Sequence, residues 1–167
     1  MTKKNENYWN TYQMVNDWTK FSDSKAGILV TGYGVILTII YSNAKEVYSG
    51  ISSSCTVLML SSICILLSII SIYYAFQCLN PRLKNNNPKS VLYFGHIAKN
   101  KNYNAYFKHS EDVFNDENNT SEQLAEQVYV NSTIAWKKFR NVSLSIRFFF
   151  ASILFLIAIL IINFFKL

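Results

Sequence analysis

The sequence predicts an all-α membrane protein with three transmembrane helices, the first and last continuing into a small cytoplasmic helical bundle. Three observations predict it. The apolar residues are clumped: Ala26 to Ala44, Val47 to Pro81 and Phe148 to Phe165 carry no charge. Each run suits a bilayer, whose core of about 30 Å needs roughly 20 apolar residues as a helix. The polar stretches before the first and last runs join them without a proline. Spans are therefore expected at 26–42, 55–78 and 145–165. The length, 167 residues, allows a single domain over 1–167. It leaves too little chain to bury three such helices in a soluble core.

The first element is a cytoplasmic helix over 5–25 that runs into the first span. Tyr8, Tyr12, Val15, Trp18 and Ser22 fall near one face, and Trp9, Met14 and Phe21 broaden it. Such a face packs on other helices or lies among lipid headgroups, and its direct continuation into the span favours packing. The chain leaves water near Lys25, so Asp23 and Lys25 sit at the crossing. The run follows Glu6, Asp17 and Asp23 with no adjoining basic segment, so it is expected to persist rather than serve as a signal peptide. Within it Gly27, Thr31, Gly34 and Thr38 form a stripe of small residues. Small residues let membrane helices approach closely. Packing within one chain and packing between chains both satisfy this pattern.

The second span carries Ser61, Ser62, Ser68 and Ser71 but no ionisable group. That argues against a transport site at the membrane midplane, while a hydroxyl-lined pore or an assembled lesion stays open. Cys55, Cys64 and Cys78 have no metal-ligand spacing and read as small residues in lipid or helix contacts. Asn80–Pro81 and Lys84–Pro88 punctuate the exit from the span. The stretch SVLYFGHIAKN is a strand-like or turn segment opening a helix, and Tyr103 to Val113 is a short helix. Asp116 to Thr120 reads as a polar loop, with Ser121 as the N-cap of the last helix. From there the sequence has no Pro or Gly up to the third span, so this helix too is expected to run from cytosol into membrane. Gln127, Asn131, Ile134 and Lys138 share one of its faces. The two amides stand among Leu124, Val128 and Ile134, where an amphipathic helix places its core. Arg147 can snorkel from the start of the span.

Charge gives the orientation. The net charge is +6. Lys3, Lys4, Lys20 and Lys25 precede the first span, and nine basic residues lie in 79–142: Arg82, Lys84, Lys89, Lys99, Lys101, Lys108, Lys137, Lys138 and Arg140. The loop between the first two spans has only Lys45, beside Glu46. Basic residues favour the cytoplasm. The N-terminus and 79–143 are thus expected inside, with 43–54 and Lys166–Leu167 outside.

No GxGxxG, P-loop, HExxH or GxSxG motif is present, and His96 and His109 lie at no triad or ligand spacing. Neither a catalytic residue nor a metal site is expected, and the chain reads as a non-enzyme. The basic residues, aromatics and amides of the cytoplasmic segments suit a small anionic nucleotide, with charge for phosphate and rings and amides for a base.

The order of three segments resembles the transmembrane effectors of Pycsar antiphage systems. WTKFSDSKAGILVTGYG is similar to that family's aromatic, Asp-x-Lys-Ala entry into its first span. YFGHIAK is similar to its Phe-Gly segment after the second. LAEQVYVNSTIAWKKF is similar to its Gln-x-x-x-Asn and Lys-aromatic helix before the last. Together these cover most of the chain. Ser22 departs mildly, standing where a small apolar residue is usual.

The resemblance implies a bacterial inner-membrane effector with a cytoplasmic N-terminus. A partner cyclase would make cyclic UMP or cyclic CMP on infection. The effector would bind that ligand on its cytoplasmic face and impair the bilayer, giving abortive infection. The implied motif residues are Asp23, Lys25, Phe94, Gly95, Gln127, Asn131 and Lys138. Lys25, Phe94, Gln127, Asn131 and Lys138 are the expected ligand contacts. Asp23 is the expected structural residue beside the Gly27, Thr31, Gly34 and Thr38 stripe, and Asp23–Lys25 can equally be an ion pair. Beyond the bilayer and the cyclic nucleotide, a homo-oligomer is expected, with no nucleic-acid partner and no cofactor. The competing readings are a small membrane subunit serving a protein partner and a holin-like protein that permeabilises without a nucleotide.

Overall fold

A computed structural model of the protein describes residues 2–52, 54–80 and 90–165. The elements are α1 (Lys3–Ser42), α2 (Ala44–Ser52), α3 (Cys55–Leu79), α4 (Phe94–Ile97), α5 (Tyr103–Phe114) and α6 (Glu117–Phe165), with no strand among the described residues. α1, α3 and α6 are long and apolar enough to cross a membrane. α3 coincides with the run expected at 55–78, and those at 26–42 and 145–165 are the C-terminal parts of α1 and α6. The segment between the first two spans is itself helical, as α2. The signals at Pro81 and Lys84–Pro88, and Lys166–Leu167, lie outside the described residues.

α6 starts earlier than its sequence suggests. Asp116, read as loop, is the capping residue: its Oδ1 accepts from the backbone N–H of Asn118 at 2.9 Å and of Asn119 at 3.4 Å. A carboxylate satisfies the orphan donors of a first turn as well as a hydroxyl does. Ser121 therefore lies inside the helix, its Oγ donating to Glu117 O at 2.9 Å. α5 is capped in the same way, with Asn102 Oδ1 accepting from Ala105 N at 2.9 Å.

The chain divides into two compact units, Met1–Phe21 with Arg82–Lys137 and Ser22–Pro81 with Lys138–Leu167. In the first, α1 and α6 run parallel, tied at Ser121–Asn5 and at Asn131–Asn16. Val15, Val91, Val113 and Leu124 are its buried apolar residues, together with Ala135. Trp18 is not on the buried face. It is exposed along with Trp9, Met14 and Phe21. One line of buried or half-buried positions on α1 runs Tyr8, Tyr12, Val15, Thr19, Ser22, Ala26, Leu29, Tyr33, Ile36. That strict alternation of four and three is a heptad, whose mean of 3.5 residues per turn puts Thr19 rather than Trp18 in the seam. α6 keeps the same alternation from Ser121 through Leu124, Val128, Asn131, Ala135 and Lys138 to Ile159.

In the second unit α3 runs antiparallel to α6. Ser71 Oγ donates to Ser145 O and Ser145 Oγ to Ser71 O, both at 2.8 Å, and Cys64 Sγ donates to Ser152 O at 3.3 Å. The buried seam of α3 is Val57, Ser61, Cys64, Ser68, Ser71, Ala75 and Cys78, with no residue larger than valine. Such small side chains allow close backbone approach in lipid. α1 joins through a cluster of Ala26, Leu29, Cys78 and Val142, with Ile146 and Phe149 packed against it.

Ser145 is fully buried and Leu154 exposed. We expect Ser145→Leu to overpack this seam and lower apparent stability by about 1–3 kcal/mol. Leu154→Ala should change it by less than about 0.5 kcal/mol, as at other exposed positions. Thermal unfolding of detergent-purified protein measures both.

Candidate functional site

In the first unit the two amides singled out on α6 meet each other and the first helix. Gln127 Nε2 donates to Asn131 Oδ1 at 3.1 Å, and Asn131 Nδ2 donates to Asn16 Oδ1 at 2.9 Å. Ser90 Oγ donates to Gln127 Oε1 at 3.4 Å, and Ser90 N donates to His96 Nδ1 at 3.2 Å. Gln123 Oε1 accepts from Val91 N at 3.0 Å. One string of side chains thus links α1, α6 and the segment leading into α4. A backbone N–H only donates, so Nδ1 of His96 carries no proton in this bond. His96 is buried.

Phe94 and Gly95 belong to the same unit. Phe94 is 74% exposed, its ring tilted against Tyr93 at 4.8 Å between centroids. Gly95 lies under that tyrosine: a Cβ there would stand 2.6 Å from Tyr93 Cε1. Tyr93 also meets His96 edge-on at 5.0 Å. Gly95 therefore acts by yielding space to a ring.

In the second unit Lys138 Nζ lies 2.6 Å from both carboxylate oxygens of Asp23. Lys138 is 7% exposed, while the Asp23 side chain is 37% exposed. The lysine read as a phosphate contact is thus the cation of an ion pair, and Asp23 pairs with Lys138 across the helices. Lys25 Nζ lies over the Phe139 ring at 5.8 Å from its centroid, a cation–π contact. Next to the pair, Cys78 Sγ donates to Ser22 O at 3.6 Å. The stripe on α1 points away from the chain's own spans: Thr31, Gly34 and Thr38 are exposed, and a Cβ on Gly27 or Gly34 would meet nothing within 4 Å. The small residues that pack within the chain are those of α3.

Asn16, Ser90 and Gln123 escaped the sequence reading, which places Ser22 on the α1 face without its tie to Cys78. Asn16 carried one signal: it precedes Asp23 by seven residues, as Asn131 precedes Lys138. Both bonded pairs are separated by 115 residues, so equal spacing on two parallel helices marks both. Chemically, a side-chain amide offers two N–H groups and two lone-pair directions. Gln127 uses one of each in these bonds, which leaves capacity for the edge of a base. Among the described residues no cluster of His, Cys, Asp and Glu could hold a metal ion.

Removing the anion of a buried pair leaves an uncompensated charge. We expect Asp23→Ala to destabilise the protein by about 1–3 kcal/mol, below the fully buried range because Asp23 is partly exposed. Asp23→Ala with Lys138→Met should recover most of that loss. The comparison is of unfolding midpoints in one detergent.

A family model described as the Pycsar effector protein domain (PycTM) matches residues 7–164. No curated protein matches the chain, and no solved structure does. The match begins in the first turns of α1 and ends one residue before the end of α6, taking in all three membrane-length helices and the polar ties between them. The chain belongs to the Pycsar effector family, multi-pass membrane effectors of antiphage defence.

Proposed function

We propose that the protein binds a cyclic pyrimidine mononucleotide, cyclic UMP or cyclic CMP, on its cytoplasmic side and then impairs the inner membrane, ending the infected cell's growth. Family membership supports the reading. The single observation that carries it is that α1 and α6 are each one unbroken helix from the polar unit into the apolar one. A ligand that bonds to Gln127 and Asn131 exchanges their bonds to each other and to Asn16 for bonds to itself. It thereby changes how two membrane-crossing helices are paired. The shift follows if ligand prefers the exchanged state. Phe94 offers a flat face for a base, and Lys25 and Lys138 are the proposed cations for phosphate, Lys138 exchanging its bond to Asp23 for one to the ligand. No catalytic step is required of the protein. The ligand comes from a partner cyclase, and a second copy of the chain meets the exposed Gly27–Thr38 stripe.

Detergent-purified protein should bind a cyclic pyrimidine nucleotide in calorimetry and gain thermal stability. A hydrogen bond to a charged group is worth about 1.5–3 kcal/mol. Asn131→Ala and Lys138→Ala should each weaken binding by at least about tenfold while the protein still inserts. Absence of binding to any cyclic mononucleotide would falsify the ligand reading. Expression should be tolerated until the nucleotide appears; killing on expression alone would favour the holin-like reading. A reporter at Asn119 should face the cytoplasm and one at Ser49 the outside.

A further inference from the structure

We propose that an exposed apolar flank of the first unit, carried by Met14, Trp18 and Phe21 on α1 and by Tyr129 and Trp136 on α6, is the face on which a second copy of this chain docks. The inference needs neither the nucleotide nor the Gly27–Thr38 stripe.

The heptad of the α1–α6 pair shows where these residues stand. With Tyr12 and Val128 at position a, Val15 and Asn131 fall at d, Asn16 at e and Gln127 at g. In a parallel pair the e line of one helix faces the g line of the other, and Asn16, Asn131 and Gln127 are bonded together on that flank. Ser90 and Val91 bond to Gln127 and Gln123, so the segment leading into α4 covers it. The opposite flank is the g line of α1 and the e line of α6, with c and b beside them. Trp18 stands at g, Met14 and Phe21 at c, Tyr129 and Trp136 at b. In the second unit the same g and e lines meet, where Lys25 lies over Phe139.

The five residues range from 48% exposed at Met14 to 74% at Tyr129, and none carries a charge. A contiguous apolar surface of this kind in water marks an interaction site. Aromatic side chains carry about 150–250 Å² each, so the five offer roughly 500–600 Å² per copy. Two copies would together bury about 1,000 Å², where specific interfaces begin.

A second copy fits this face better than lipid does. Headgroups extend only about 5–8 Å beyond the hydrocarbon core. Trp18 stands eight residues before the charge-free run that opens at Ala26, about 12 Å along the helix, and Met14 about 18 Å. A second copy in the same bilayer shares depth and sidedness, so it can turn only about the membrane normal. The bond from Asn131 to Asn16 fixes the register, which sets Met14 level with Tyr129 and Phe21 level with Trp136. A two-fold axis along the normal therefore lays the α1 line of one copy against the α6 line of the other at matching heights. Such a contact is self-complementary. The amide string lies on the far flank and is not covered by it.

Photo-crosslinking of the full chain in native membranes, without nucleotide, tests this. Benzoylphenylalanine in place of Trp18 or Tyr129 should give an adduct of two chains. In place of Tyr103, exposed on α5, it should not. With light and heavy isotope copies mixed, peptide mapping should join α1 of one copy to residues 125–140 of the other. Trp18→Glu/Trp136→Glu places charge in the contact. It should raise the dissociation constant of the detergent-purified dimer at least about tenfold, while far-ultraviolet circular dichroism stays unchanged. Capture of lipid or of another protein in place of a second copy overturns the inference. So does a Tyr103 adduct as strong as that from Trp18, a join that bypasses α6, or a dimer that survives the double substitution. If the double variant fails to fold, the crosslink map alone decides.

Discussion

Close approach between α3 and α6 is the constraint on which the rest of the second unit depends. In lipid a helix gains nothing by hiding apolar side chains from its surroundings, so only fit and hydrogen bonding favour a neighbour. The α3 seam supplies both. Its residues are small enough to bring backbones together, and at that range Ser71, Cys64 and, on the partner helix, Ser145 reach carbonyl oxygens that already serve their own helices. A carbonyl has two lone pairs, so the second bond costs the helix nothing. With α6 placed in this way, Val142, Ile146 and Phe149 form the surface against which Ala26 and Leu29 of α1 rest.

The polar pairs between α1 and α6 do a different job. A buried ion pair is weak evidence of net stability, because desolvation offsets most of the attraction. Its effect on register is stronger. Asn16–Asn131 and Asp23–Lys138 share the same offset of 115 residues. A slip of one heptad would keep the apolar seams matched. It would, however, set Asp23 against Asn131 and leave Lys138 facing Val30, a cation without an anion. The heptad repeat permits several registers, and the polar layers leave one.

The three spans were legible because length and charge-free composition are local properties. So was the oddity of Gln127 and Asn131, amides where a core belongs. Their partner Asn16 was not, since nothing local points to a residue 115 positions away. The start of α6 was misplaced because Asp116 and Ser121 are both capping residues, and only geometry shows which one the helix uses. A 3.6-residue period puts Trp18 on the buried face, whereas the 3.5-residue seam of the folded helix puts Thr19 there. For the small residues, glycine in the first span was more conspicuous than serine and cysteine in the second. Yet the α3 residues are the ones that carry packing within the chain.

Gly95 illustrates how two neighbouring positions lose their independence. With a Cβ at 95 standing 2.6 Å from Tyr93 Cε1, no L-residue fits while the ring keeps its place between Phe94 and His96. Drift at 95 is thus closed while the Tyr93 ring holds that position, and opens when the ring swings aside. The path through sequence space has an order: Tyr93 must be released first, at the expense of its contact with His96. Positions 93 and 95 should therefore evolve as a linked pair, while the exposed residue between them changes at its own pace.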